Sequence, residues 1–96
     1  MRRVLFVDDE ANVLSGLKRI LRNEFEVVPA ESGPVALEIF ASQGPFPVVV
    51  SDFRMPGMNG SEFLAKIREL EPDTVRMLLT GQADLQGAID AINNSK

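Results

Sequence analysis

Two apolar runs, each closed by acid, constrain this chain more than anything else in it. Val4-Leu5-Phe6-Val7 leads straight into Asp8-Asp9, and Pro47-Val48-Val49-Val50-Ser51 leads into Asp52. Neither run alternates with polar residues, so each reads as a strand buried on both faces, as the strands of parallel sheets are. Ligands of open α/β sheets bind beyond the carboxyl ends of the strands. If the two strands are neighbours, Asp8, Asp9 and Asp52 share one small site. Three anions packed together repel, so the site calls for a cation. A ligand set of oxygens alone points to a hard ion, with Mg²⁺ the favoured reading.

The rest of the chain supplies the layers such a sheet needs. Arg3 to Val7 is the first strand, and Ala11 to Asn23 is a helix with Val13, Leu14, Leu17, Ile20 and Leu21 apolar at helical spacing. An acid at its start, Asp9 or Glu10, suits the helix dipole. Phe25 to Val28 is a short second strand. Ser32-Gly33-Pro34 opens a second helix, with Ser32 as cap and Val35, Leu37, Ile39 and Phe40 as its apolar residues. Gln43-Gly44-Pro45 stops it. Pro47 to Ser51 is the third strand, and Phe53 to Gly60 is a loop rich in turn formers. Ser61 to Leu70 is the third helix, with Phe63, Leu64, Ile67 and Leu70 apolar. Val75 to Leu79 is the fourth strand, and Asp84 to Asn93 the fourth helix, carrying Leu85, Ala88, Ile89 and Ile92 on one face. The order βαβαβαβα implies right-handed crossovers and an α/β fold: a doubly wound parallel sheet with helices on both faces.

Composition narrows the function. The 96 residues make one small domain, and a net charge of -4 argues against direct nucleic-acid binding. There is no Cys and no His, which removes thiolate chemistry, His-based catalysis and the commonest transition-metal ligand. No apolar stretch approaches the ~20 residues of a membrane span, and the run after Met1-Arg2-Arg3 is too short for a signal peptide. The expectation is a cytoplasmic protein with no membrane partner.

Phe6-Val7-Asp8-Asp9-Glu10, Ser51-Asp52-Phe53-Arg54-Met55-Pro56-Gly57-Met58-Asn59-Gly60 and Leu79-Thr80-Gly81 together resemble the receiver domain of bacterial two-component response regulators. The resemblance covers the whole chain, 1–96. It implies a flavodoxin-like sheet, here expected in the order 2-1-3-4. It implies that Asp52 takes a phosphoryl group from a sensor histidine kinase or a histidine phosphotransfer protein, becoming an aspartyl phosphate. Asp8 and Asp9 then match the acids that hold Mg²⁺, with Asp52 and the Arg54 backbone carbonyl as further ligands. Thr80 matches the switch hydroxyl. Gly81 leaves room for the phosphoryl group, and Arg54 and Gln82 match the positions that tune the lifetime of the acyl phosphate. The stretch from Leu79 to Asn93 also looks like receivers found ahead of HD-GYP output domains.

The chain departs from that family at its end. Receivers carry a fifth strand ending in a Lys, and a fifth helix, whereas this sequence runs out at Asn93-Asn94-Ser95-Lys96. Lys96 has no apolar run before it and reads as a solvated terminal residue. The expectation is a receiver incomplete at its C-terminus, with its output domain elsewhere. Its bare fourth-strand edge and the apolar surface near its first helix would favour association, as a homodimer through that edge or the fourth helix.

Other readings stand beside this one. A single Asp at a strand end is usually a turn or cap residue; it is the three acids with Thr80 that point to a metal and phosphoryl site. Glu10 reads as a solvated acid, Met55 and Met58 as packing residues, and Lys66 as a surface charge. The switch has no substrate turnover beyond self-dephosphorylation. The alternatives are an interaction module that has lost phosphorylation and only dimerises, and a hydrolase of the haloacid dehalogenase type. The second needs Asp-x-Asp after the first strand, where this chain has Asp8-Asp9-Glu10.

Overall fold

In the computed structural model the described residues are 2–81 and 86–91. Strands β1 (Arg2–Val7), β2 (Phe25–Ala30), β3 (Val48–Asp52) and β4 (Val75–Leu79) alternate with helices α1 (Ala11–Leu21), α2 (Gly33–Gln43) and α3 (Gly60–Leu70). Residues 86–91 are helical as well. All strand pairs are parallel, and the sheet order is β2-β1-β3-β4, as expected.

The central strands are the two apolar runs. Val4 to Val7, Val49 and Val50 are wholly buried, because each side of the sheet has its own apolar layer. One layer joins Val4, Phe6, Val48 and Val50 to Leu14, Leu17 and Leu21 of α1. The other joins Leu5, Val7 and Val49 to Ala36 and Phe40 of α2 and to Phe63, Leu64 and Ile67 of α3. Residues 86–91 add Ala88 and Ile89 to the α1 layer. Ala88 and Ile89, expected on the apolar face of the fourth helix, are thus buried.

Several sequence expectations are corrected in detail. β2 continues through Pro29 to Ala30 rather than ending at Val28. Proline is tolerated there because β2 is an edge strand, where a missing N–H need not break the ladder. Ile20 and Leu70, expected on apolar faces, are 65% and 59% exposed. Ile20 lies off the buried face that Leu14, Leu17 and Leu21 form, and Leu70 ends α3 beyond Ile67, the last buried residue of that helix. In α2 the buried face is Gly33, Ala36 and Phe40, at i, i+3 and i+7, while Val35 is exposed. At Gly33 a Cβ would run into the Met58 side chain, so the start of α2 is close against the loop before α3. Ser32 caps α2 as expected, accepting a hydrogen bond from the Val35 N–H. Asp84, Leu85, Ile92, Asn93 and Lys96 lie outside the described residues.

Candidate metal and phosphoryl site

The sheet brings the predicted acids together. β1 and β3 pair through Val4↔Val48 to Val7↔Ser51, so Asp8 and Asp52 emerge side by side at the carboxyl end of the sheet. Asp8 is fixed twice. Its N–H donates to the Ala30 carbonyl at 3.1 Å, and its Oδ1 accepts from the Glu10 N–H at 2.9 Å. One carboxylate oxygen from each of Asp8, Asp9 and Asp52 lies within 4.8 Å of the others. Asp8 is buried, Asp52 half-buried and Asp9 exposed.

Asp52 is held by the chain that follows it. The Phe53 N–H donates to the Leu79 carbonyl at 2.8 Å, tying the end of β3 to the end of β4 and bringing Thr80 to the same rim. The Gly60 N–H donates back to the Phe53 carbonyl at 3.0 Å, closing the loop between them. Two glycines make this loop possible. Gly57 takes a positive φ of 75°, a conformation most residues resist. Gly60 sits where a Cβ would collide with the Asp52 carbonyl oxygen. The following helix starts on a reciprocal cap: Asn59 Oδ1 accepts from the Glu62 N–H at 2.9 Å, and Glu62 Oε1 accepts from the Asn59 N–H at 3.0 Å. The turn formers of this stretch predict a loop and do not by themselves reveal the cap. Asn59 with Glu62 three residues on was the available signal. Met55 is buried and Met58 partly so, both against the α2–α3 layer, as packing residues should be.

The result is a cleft of about 460 Å³ lined by Asp8, Asp9, Asp52, Arg54, Thr80 and Gly81, with Glu10, Val13 and Leu79. Among the described residues a Cβ at Gly81 would meet nothing within 4 Å. Gln82 lies outside the described residues. Glu10 and Val13 were read as a solvated acid and a core residue. Their place on the rim follows from the first turn of α1 starting beside Asp9, which spacing alone does not reveal.

Burial and mutual repulsion both act on the acids of this cleft. Burial is the main reason the Asp8 carboxyl is held above its ordinary value, with the Asp52 and Asp9 charges adding and the Glu10 N–H opposing. The Asp52 carboxyl is also held up, by burial first and then by Asp9, while the Arg54 charge and the Phe53 and Arg54 backbones pull the other way. A cation among the three oxygens reverses the balance. The donor set fits Mg²⁺: octahedral coordination at about 2.0–2.1 Å places ligand oxygens roughly 3–4 Å apart. The three carboxylate oxygens lie within 4.8 Å of one another, near that size, and Asp9 is exposed.

The wider comparisons agree with this geometry. The model of the response regulator receiver domain matches residues 4–95. The hydrogenase transcriptional regulatory protein HoxA of Cupriavidus necator is 38% identical over 92 residues, covering 96% of this chain and 19% of that protein. The chain thus spans about a fifth of the length of that curated relative. A response regulator receiver domain protein from Clostridium thermocellum has a TM-score of 0.80 at 32% identity, covering 98% of this chain and 76% of that one. The response regulator TrrA of Thermotoga maritima matches in two structures. In complex with the histidine kinase ThkA, the TM-score is 0.77 at 39% identity over 84% of this chain and 70% of that one. With Mg²⁺ and BeF bound it is 0.75 at 27% identity over 95% and 98%. The 2-1-3-4 sheet is thus that of a known fold, and the chain belongs to the response regulator receiver domain family.

Proposed function

We propose that Asp52 is the phosphoacceptor of this receiver domain, that Asp8, Asp9, Asp52 and the Arg54 carbonyl hold Mg²⁺, and that Thr80 reads the phosphorylated state. The observation that carries the reading is the meeting of three carboxylates within 4.8 Å in a cleft that also holds Thr80 and Gly81. The donor is a phosphohistidine of a sensor kinase or phosphotransfer protein, a partner class supported by the kinase complex of TrrA. A carboxylate oxygen of Asp52 attacks phosphorus, the P–N bond breaks, and the imidazole leaves and takes up a proton. The product is an acyl phosphate. Mg²⁺, when bound, supplies the charge that lets an anionic acceptor meet an anionic phosphoryl group.

This chain's own groups do the rest. Asp8, anchored by its two backbone bonds, fixes one side of the metal cage. Arg54 brings a positive charge to Asp52. Thr80, beside Asp52 through the Phe53–Leu79 bond, offers a hydroxyl to a phosphoryl oxygen. The domain is a switch with at most self-dephosphorylation of its own, and in the full protein it would control an output region from a cytoplasmic location. Among the described residues no helix is long and apolar enough to cross a membrane. A homodimer joined along β4 is a second reading, favoured by the place of that strand at the sheet edge among the described residues and by the exposure of Val75 and Leu78 on it. A single monomer mass by light scattering at high concentration refutes it.

The deciding experiment is intact mass after incubation with a small-molecule phosphodonor and Mg²⁺, with Asp52→Asn alongside. One added phosphoryl group in the parent and none in the variant is expected. Equal incorporation in both, or none in the parent, overturns the assignment.

A further inference from the structure

Among the described residues three polar side chains are buried: Asp8, Ser51 and Thr74. Asp8 belongs to the cleft. The Thr74 hydroxyl donates to the Phe46 carbonyl at 3.1 Å, joining the segments that lead into β4 and β3. Ser51 has no such evident task. It is fully buried at the end of the apolar run Val48-Val49-Val50, and it does not line the cleft.

Ser51 falls two places after Val49, so its side chain turns toward the same α2–α3 layer, made of residues such as Leu5, Val7, Phe63 and Leu64. A hydroxyl placed there is costly unless it finds an acceptor, and alanine or valine would fill the layer without that cost. The acceptor is the carbonyl of the next residue: Ser51 Oγ donates to the Asp52 carbonyl oxygen at 3.0 Å. Gly60 closes in on the same oxygen, since a Cβ there would collide with it.

That carbonyl shares a rigid plane with the Phe53 N–H, so its orientation sets where the N–H points. The Phe53 N–H donates to the Leu79 carbonyl at 2.8 Å, and together with the Arg54 N–H it also bonds the Asp52 carboxylate. A turn of this one peptide plane would loosen the tie between β3 and β4 and the hold on the carboxylate together.

We propose that Ser51 is a positioning residue for the phosphoacceptor: its hydroxyl, bonded to the Asp52 carbonyl, fixes the Asp52–Phe53 peptide plane and so keeps the Asp52 carboxylate aimed into the cleft. The inference rests on the reading of Asp52 as the acceptor. Ser51 touches neither the metal nor the phosphoryl group and acts through the backbone alone.

The test is the rate of phosphorylation by a small-molecule phosphodonor at saturating Mg²⁺, followed by intact mass, in the parent, Ser51→Ala, Ser51→Thr and Ile67→Val. Ser51→Ala should be about fivefold slower, the worth of one neutral hydrogen bond. Ser51→Thr returns the hydroxyl and should recover most of the parent's rate. Ile67→Val loosens the same layer without touching the peptide plane, and should keep the parent's rate while unfolding at lower urea. Ser51→Ala at the parent's rate overturns the inference and leaves Asp52 as the acceptor. A loss shared by Ser51→Thr overturns it too, because size and not the hydroxyl then matters. So does an equal loss in Ile67→Val, because the site then answers to general softening of the layer. A parent that takes up no phosphoryl group overturns the phosphoacceptor reading, and this inference with it.

Discussion

Gly60→Ala is the substitution by which the scaffold should announce its hold on the site. Gly60 opens α3, and at an unobstructed helix position alanine is favoured over glycine by about 0.5–1 kcal/mol. Here the added methyl collides with the Asp52 carbonyl oxygen and comes within 2.8 Å of Leu78 Cδ1. The first neighbour cannot step aside. Asp52 lies in β3, and Phe53 beside it is bonded to both Leu79 and Gly60. Overpacking of this kind costs about 1–3 kcal/mol and more when backbone must move, so we expect a net loss of about 1–3 kcal/mol. For a domain of this size that lowers Tm by roughly 5–20 °C. The relief is to push Asp52 off its position, so Mg²⁺ affinity should fall as well. Gly16→Ala, in mid-α1 where a Cβ meets nothing, is the control and should stabilise slightly. Thermal unfolding with and without Mg²⁺ reads both effects. A Gly60→Ala protein as stable as the parent and with the same Mg²⁺ response would refute the claim that this glycine is there for close approach.

Mg²⁺ at a hundredfold excess over its Kd should stabilise the parent by about 2.7 kcal/mol, and Asp8→Asn should remove most of that gain; a thermal shift unchanged by the substitution would argue against Asp8 as a ligand. Without Mg²⁺, the same variant should be more stable than the parent at neutral pH. The Asp8 carboxyl is held above its ordinary 3.8 in the fold, so the folded state binds its proton more tightly than the unfolded chain does. The resulting destabilisation is full above the raised value and disappears as pH falls through it toward 3.8. Urea unfolding across that range should show the advantage of Asp8→Asn shrinking with acid, and a variant less stable at neutral pH would contradict this. Asn59→Ala removes the cap of α3 and should cost about 1 kcal/mol, read as a lower urea midpoint at constant slope; an unchanged midpoint would mean that the reciprocal bonds with Glu62 contribute nothing.

What could be read from the sequence, and what could not, follows from where each residue gets its instructions. Val4 to Val7 and Val48 to Val50 announce buried strands because a run with no polar partner has no wet face to offer. The acids after them are legible as one site because parallel pairing sends all strand ends the same way. Periodicity identifies α1 and α3, but it does not say which apolar residues a neighbour covers. Ile20 and Leu70 have the right spacing and still face water, since what buries a helix residue is the neighbour across from it. Val35 and Ala36 show the same limit from the other side: hydrophobicity favours Val35, and the side of the helix turned to the core holds Ala36. Pro29 reads as a stop, yet an edge strand lets it pass.

The site itself divides along this line. Asp8, Asp9 and Asp52 carry the chemistry and are visible in the sequence, whereas the groups that hold them close are backbone atoms, which no sequence pattern displays. The Phe53–Leu79 bond, the return bond from Gly60 and the anchoring of Asp8 to Ala30 all belong to this second class. Repulsion among the acids works against that framework, and burial of Asp8 and Asp52 adds to the tension. A site built this way is stable as a cage only while its frame is stiffer than its charges are repulsive. The stiffness is local to the ends of β1, β3 and β4, where a single methyl at Gly60 meets the carbonyl of Asp52 itself. Metal affinity should therefore respond to changes there even when no carboxylate is touched, and should ignore changes of similar cost in the core of α2, which contributes no residue to the cleft.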